Sequence, residues 1–100
     1  MFKVIAVDDE QNALNRFERL ITQDSRLELL KTFTKPADAI EFMKSNPVDI
    51  AFLDIEMPEM TGLELSECLM DINPYVEVVF VTAYNQYALE AFKDPRCGRR

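Results

Sequence analysis

The sequence predicts an α/β fold, a doubly wound parallel sheet with helices on both faces. Three observations lead to this prediction. Short apolar runs alternate with stretches whose apolar residues recur at helical spacing, most of those runs are apolar throughout, and Asn-Pro pairs end two of the helical stretches. Nearly continuous apolar strands are typical of parallel sheets that are covered on both faces. The chain has 100 residues, of which 48% are hydrophobic, and this suits one domain.

A change in apolar spacing defines the first strand and the first helix. Residues 2–7 form an almost continuous apolar run that ends at Asp8 and Asp9. Over residues 11–23 the apolar side chains recur three and four positions apart, which predicts a helix with one buried face. That face consists of Ala13, Leu14, Phe17, Leu20 and Ile21. The chain therefore begins with a strand–helix unit.

The second strand–helix unit is predicted to be more exposed. Residues 27–33 are strand-like, but Glu28 and Lys31 interrupt the apolar run. Charged side chains within a strand indicate contact with solvent, so we expect this strand at an edge of the sheet. A helix follows over residues 36–45, and the pair Asn46-Pro47 ends it.

Two further units complete the alternation. An apolar strand over residues 48–54 ends at Asp54, and residues 61–64 (TGLE) have the spacing of a capping box at the start of a helix. A third apolar strand covers residues 76–81, and a fourth helix begins within residues 85–93. The predicted order is β-α-β-α-β-α-β-α.

Composition and charge limit the partners and the chemistry. Eighteen acidic residues against eleven basic ones give a net charge of −7, which argues against binding of nucleic acid or an anionic membrane by this chain. No stretch has the length of a signal peptide or a membrane span, and two cysteines make no disulfide framework, so a cytoplasmic location is expected. The chain contains no His, so chemistry must depend on carboxylates, hydroxyls and backbone groups.

Acidic and hydroxyl side chains occur where the predicted strands end. Asp8 and Asp9 end the first strand, Asp54 ends the third and Thr82 follows the fourth. A doubly wound sheet has its crevice at the carboxyl edge, where the strand order reverses, and an order of 2-1-3-4 puts that reversal between Asp9 and Asp54. Three converging carboxylates repel one another unless a cation lies among them, and oxygen ligands with room for water suit Mg²⁺.

A structural explanation exists for each acid taken singly. An acid just after a strand often caps the next helix, and Asp9 or Glu10 is placed to do so here. The set of acids, with a hydroxyl at the corresponding position of another strand, favours the metal site.

Three motifs in this order resemble the receiver domain of two-component response regulators. VDDE at 7–10 resembles the acidic doublet after the first strand, FLDIEMPEMTGLEL at 52–65 resembles the phosphoacceptor strand with its D-x-x-M-P-x-M-x-G signature, and VTAY at 81–84 resembles the fourth-strand motif. The resemblance covers residues 1 to about 93 and implies a flavodoxin-like receiver fold. FVTAYNQYALEAF at 80–92 is moreover similar to receivers paired with LytTR-type DNA-binding domains.

The resemblance implies a role for each site residue. Asp54 would accept a phosphoryl group from a sensor histidine kinase, which makes the chain a phosphoacceptor and not a turnover enzyme. Asp9 would hold Mg²⁺ directly and Asp8 through water, with Asp54 and the backbone carbonyl of Glu56 as further ligands. Thr82 would hydrogen-bond the phosphoryl oxygens and move on phosphorylation. Such transfer requires positioning and charge neutralisation, and little other covalent chemistry from the protein.

The loop after Asp54 also contains residues with predicted structural roles. Pro58 fixes the turn, and Gly62 permits a close approach at the start of the helix. Met57 and Met60 are interpreted as packing residues and not as ligands.

The chain departs from the family after residue 93. The family's fifth strand, fifth helix and the Lys of its Lys-Pro pair cannot be identified, and residues 94–100 (DPRCGRR) form a basic tail. We therefore expect a truncated receiver domain over residues 1–93, with impaired transfer to Asp54. The apolar strand over residues 76–81 would become an unprotected edge, so a homodimer or domain-swapped oligomer is expected.

Two alternative functions remain open from the residues. A haloacid-dehalogenase-type phosphohydrolase also uses a strand-terminal Asp with Mg²⁺, but it needs D-x-D where this chain has Asp54-Ile55-Glu56, and it leaves Asp8 and Asp9 unexplained. A receiver-like fold that serves only dimerisation or interaction is the other alternative, and it requires no metal.

Overall fold

The computed structural model describes residues 1–81, in which strands and helices alternate as predicted. The elements are β1 (Phe2–Val7), α1 (Gln11–Thr22), β2 (Leu27–Phe33), α2 (Pro36–Ser45), β3 (Ile50–Asp54), α3 (Gly62–Ile72) and β4 (Glu77–Val81). The helix predicted within residues 85–93, the domain boundary at residue 93 and the basic tail lie outside the described residues and stay predictions. No helix within residues 1–81 is long and apolar enough to cross a membrane.

Within residues 1–81 all strand pairs are parallel, and the strand order is β2-β1-β3-β4. The interrupted strand β2 lies at an edge, as its charged residues predicted, whereas β1 and β3 are interior neighbours. Since the chain turns in opposite directions on leaving β1 and β3, a crevice forms between their carboxyl ends. The predicted position of the crevice is confirmed.

The helices cover the two faces of the sheet differently. On one face α2 and α3 bury the main hydrophobic core, which includes Ile5, Val7, Ala39, Met43, Ala51, Leu53, Leu65 and Leu69. Phe52 alternates with its neighbours along β3 and therefore points to the other face. There it meets α1, since the ring centroids of Phe52 and Phe17 are 4.7 Å apart. The doubly wound arrangement is thus confirmed for the described part of the chain.

Three element boundaries differ slightly from the prediction. β3 begins two residues later than expected and β4 one residue later, although the apolar residues Val48 and Val76 before them are buried. Apolar character predicts burial, and burial here extends past the paired residues of the sheet. The helix α1 ends at Thr22, one residue early, because the Gln23 N–H already turns to the Leu20 carbonyl at 3.3 Å.

Candidate functional site

Adjacent strand ends bring three carboxylates together at the crevice. Val7 and Leu53 are register partners of β1 and β3, and the residues that follow them are Asp8 and Asp54. One carboxylate oxygen from each of Asp8, Asp9 and Asp54 lies within 4.8 Å of the others. Asp9 is exposed, whereas the other two carboxylates are half-buried. The structure therefore places these three predicted site residues in one cluster.

The other two predicted site residues, Glu56 and Thr82, are not members of this cluster as the structure describes it. The Glu56 side chain is exposed and is not a member of the carboxylate cluster. Its predicted role involved only the backbone carbonyl, so the position of its carboxylate does not bear on that role. Thr82 lies outside the described residues. Its predecessor Val81 is the register partner of Asp54, and β4 therefore reaches this edge of the sheet.

Burial and like charge make the cluster electrostatically unfavourable in the absence of a cation. Burial first, and then the charges of Asp8 and Asp9, raise the pKa of Asp54 to about 6. The backbone N–H groups of Glu56 and Ile55 oppose them and lower this pKa. The pKa of Asp8 is also raised, chiefly by burial, while the Glu10 N–H at 2.9 Å from its Oδ1 works against the shift.

The donor set fits a hard divalent cation. Carboxylate oxygens are preferred by Mg²⁺, which places opposite ligand oxygens about 4 Å apart. Oxygens within 4.8 Å of one another can therefore surround one ion after small side-chain adjustments, or with water between the ion and one carboxylate. The partial exposure of the cluster leaves room for such water.

Helix capping accounts for little of this arrangement. The N-cap of α1 is Glu10, and its side chain forms no cap hydrogen bond. Asp9 precedes the N-cap, and Asp8 receives a hydrogen bond from the Glu10 backbone. Helix capping therefore explains the position of neither Asp9 nor Asp54. The three carboxylates need an explanation as a group.

The loop from β3 to α3 is held by hydrogen bonds at its α3 end and by two packed methionines. The Thr61 hydroxyl accepts the Glu64 N–H at 3.1 Å, while the Glu64 carboxylate accepts the Thr61 N–H at 3.0 Å, so the predicted capping box is confirmed. Met57 is buried and Met60 packs against the core, which confirms that both methionines are packing residues. These contacts hold the loop that follows Asp54 against the core.

A cavity of about 130 Å³ adjoins the carboxylates on the α1 face of the sheet. Arg16 and Phe17 of α1, together with Phe52 of β3, contribute to its lining, as do Asp8 and Asp54. Sequence reasoning did not single out Arg16 or this cavity. Helical spacing marks Phe17 as facing the core, but no local pattern shows that α1 lies beside Asp54.

Comparisons with known proteins agree on one family. The family described as response regulator receiver domain matches residues 4–94. The sensory transduction protein LytT of Bacillus anthracis is 37% identical over 93 residues, which make up 93% of this chain and 38% of that protein. The chain thus spans about two fifths of the length of the curated relatives it matches.

Solved structures show the same fold. The response regulatory domain of mrkE from Klebsiella pneumoniae has a TM-score of 0.73 and 35% identity, over 91% of this chain and 75% of that one. The response regulator protein TrrA from Thermotoga maritima, in complex with Mg(2+)-BeF, has a TM-score of 0.76 and 28% identity, over 87% of this chain and 74% of that one.

Proposed function

This chain belongs to the response regulator receiver domain family, and we propose that it acts as a Mg²⁺-dependent phosphoacceptor whose modified residue is Asp54. The observation that carries the proposal is the convergence of three carboxylates at the crevice between β1 and β3. In this role the chain is modified and later restored by hydrolysis, so it is a signalling protein and not a turnover enzyme.

The proposed metal ligands are Asp9 and Asp54 directly, Asp8 through water, and the backbone carbonyl of Glu56. The hard-oxygen donor set and the raised pKa of Asp54 support this assignment, as does the Mg(2+)-BeF complex of TrrA. Mg²⁺ bound there would neutralise the charge of the incoming phosphoryl group.

Asp54 supplies the nucleophile of the proposed reaction. One of its carboxylate oxygens attacks the phosphorus, and the bond between phosphorus and the donor's leaving group breaks as the new P–O bond forms. The carboxylate must be ionised to attack, and a pKa of about 6 leaves it mostly ionised at neutral pH. Thr82 is proposed to donate its hydroxyl to the phosphoryl oxygens. The register of Val81 with Asp54 supports this role, because it brings β4 to the same edge.

A sensor histidine kinase is the proposed phosphodonor. We propose a cytoplasmic location and no binding of nucleic acid by residues 1–100 themselves, in keeping with their net charge of −7. The chain spans 37% of the transcriptional regulatory protein YpdB of Escherichia coli, to which it is 36% identical, and this likeness supports an output domain that acts in transcription in a longer parent protein. The absence of the family's Lys is expected to impair phosphoryl transfer to Asp54. That part of the chain lies after Val81, outside the described residues, so the impairment stays a prediction.

Intact-mass measurement after incubation with Mg²⁺ and a small phosphodonor tests the proposed reaction. We expect an adduct with the mass of one phosphoryl group, absent from the Asp54→Asn variant and from samples containing a chelator. Asp71→Asn is a matched control, since Asp71 is an exposed acid of α3. An adduct that persists in Asp54→Asn would contradict the assignment of Asp54.

A Mg²⁺ titration followed through backbone amide resonances separates the phosphoacceptor from a module that serves only interaction. We expect the amides around Asp8 and Asp54 to shift, and the Asp9→Asn variant to bind about ten-fold or more weakly. Asp71→Asn should bind as the unmodified chain does. Resonances that do not respond to millimolar Mg²⁺ would favour the interaction module.

A further inference from the structure

Gly62, the first residue of α3, lies directly against the backbone of Asp54. A Cβ atom at residue 62 would overlap the Asp54 carbonyl oxygen and would lie 3.0 Å from both the Asp54 carbonyl carbon and the Ile55 Cα. These are backbone atoms, which cannot rotate away as the end of a flexible side chain can. Gly62 does not have a positive φ, so its conformation is open to other residues and the constraint is space.

A hydrogen bond continues this contact toward the carboxylate. The Gly62 N–H donates to the Ile55 carbonyl at 2.7 Å. The N–H groups of Ile55 and Glu56 are in turn the backbone donors that act on the Asp54 carboxylate. The start of α3 is therefore linked through one peptide segment to the side chain proposed to accept the phosphoryl group.

The helix has little freedom to retreat from this contact. Leu65 and Leu69 of α3 are fully buried in the core beneath the sheet, and the Thr61–Glu64 capping box fixes the first turn. A side chain added at residue 62 would therefore displace the segment 54–56 at least as much as α3 itself. That segment carries the Asp54 carboxylate and the Glu56 carbonyl.

We propose that Gly62 is a positioning residue for the carboxylate site, and that its missing side chain sets the distance of Asp54 and Glu56 from Asp9. The inference rests on the proposed Mg²⁺ site. Mg²⁺ demands near-octahedral geometry with ligands at about 2.0–2.1 Å, so a displacement of a few tenths of an ångström at two ligands weakens binding. Residues that orient metal ligands typically contribute about 10–100-fold to metal affinity.

The test compares Gly62→Ala with Thr61→Ala by calorimetric Mg²⁺ titration and urea denaturation. Both substitutions act on the first turn of α3, but only the first adds an atom against the Asp54 backbone. We expect Gly62→Ala to bind Mg²⁺ about ten-fold or more weakly, and Thr61→Ala to stay within about two-fold of the unmodified chain. Denaturation shows whether each variant is folded.

Mg²⁺ affinity that is unchanged in a folded Gly62→Ala chain overturns the inference. Equal losses in both variants also overturn it, because they would reflect only a weaker start of α3. Absence of Mg²⁺ binding by the unmodified chain is a different result, since it removes the proposed function itself.

Hydrogen exchange of the unmodified chain provides a second measurement, which decides the matter should Gly62→Ala not fold. Because coupling between two sites is reciprocal, Mg²⁺ held by Asp54 should strengthen the bond from Gly62 to Ile55. We expect saturating Mg²⁺ to slow exchange of the Gly62 amide up to about ten-fold. The Asn73 amide, bonded to Leu69 at the other end of α3, should not change. A Gly62 amide that exchanges equally with and without Mg²⁺ overturns the inference.

Discussion

Asp54 occupies a position where its environment opposes its charge. Burial and the neighbouring Asp8 and Asp9 raise its pKa to about 6, and two backbone N–H groups offset only part of this effect. Without metal, ionisation of Asp54 at neutral pH therefore works against folding. A bound cation reverses this preference, since its charge favours the ionised carboxylate, so metal binding should release protons.

This environment makes a pH-dependent prediction for the metal-free chain. The pKa of Asp54 is about 6 in the folded chain against 3.8 ordinarily, so the folded state binds more protons between these values. The stability that the protonated group contributes is fully present below about pH 4 and is lost as the pH rises through about 6. Asp54→Asn should therefore be more stable than the unmodified chain at pH 7, by about 1–2 kcal/mol after allowance for solvent screening.

Urea denaturation in the presence of a chelator measures this difference. Asp54→Asn and the unmodified chain should have nearly equal free energies of unfolding at about pH 4, where Asp54 is protonated in the folded state. Asp71→Asn, which changes an exposed acid, is the control for loss of a negative charge. A difference between Asp54→Asn and the unmodified chain that does not vary with pH would contradict the prediction.

At the scale of elements, the connection from β3 to α3 determines how Asp54 is presented. Strand β3 ends at Asp54 and so places its carboxylate in the crevice. Two reciprocal hydrogen bonds between Thr61 and Glu64 stabilise the first turn of α3. The buried side chain of Met57 holds the intervening loop to the core. Local sequence thus specifies both the end of the strand and the start of the helix.

Removal of the cap should weaken α3 without disturbing the carboxylates. Thr61→Ala deletes the hydroxyl that accepts the Glu64 N–H, and we expect a loss of about 1 kcal/mol in the free energy of unfolding. Thr34→Ala, at an exposed position before α2, should change it by less than about 0.5 kcal/mol. Urea denaturation of both variants provides the measurement. A free energy of unfolding of Thr61→Ala equal to that of the unmodified chain would show that the Thr61 hydroxyl does not contribute to stability.

At the scale of the whole molecule, the two faces of the described sheet are covered unequally. Two helices and the larger core cover one face, whereas α1 covers the other, where Phe52 and Val81 are only half-buried. Among residues 1–81, β4 also forms one edge of the sheet, with half-buried apolar side chains along it. Apolar strands at an edge tend to pair with another chain.

We therefore expect the 100-residue chain to form a homodimer or a domain-swapped oligomer. Light scattering at micromolar concentration should give a mass of at least twice 11.6 kDa. Val79→Lys adds a charge to β4 and should shift the chain toward the monomer, since charges on edge strands oppose pairing. A mass equal to one chain for the unmodified protein would contradict the prediction.

Sequence alone determined the elements up to β4, the edge position of β2 and the convergence of acids at one end of the sheet. These features depend on local spacing and on the rule that parallel strands end on the same side, and neither needs long-range contacts. The tertiary structure alone decided the pKa of Asp54, the cavity beside α1 and the contact of Gly62 with the Asp54 carbonyl. Each depends on distances between segments far apart in the chain, or on how closely a helix approaches a strand. The sequence indicated a close approach at Gly62, and only the packed structure showed which backbone atoms it meets.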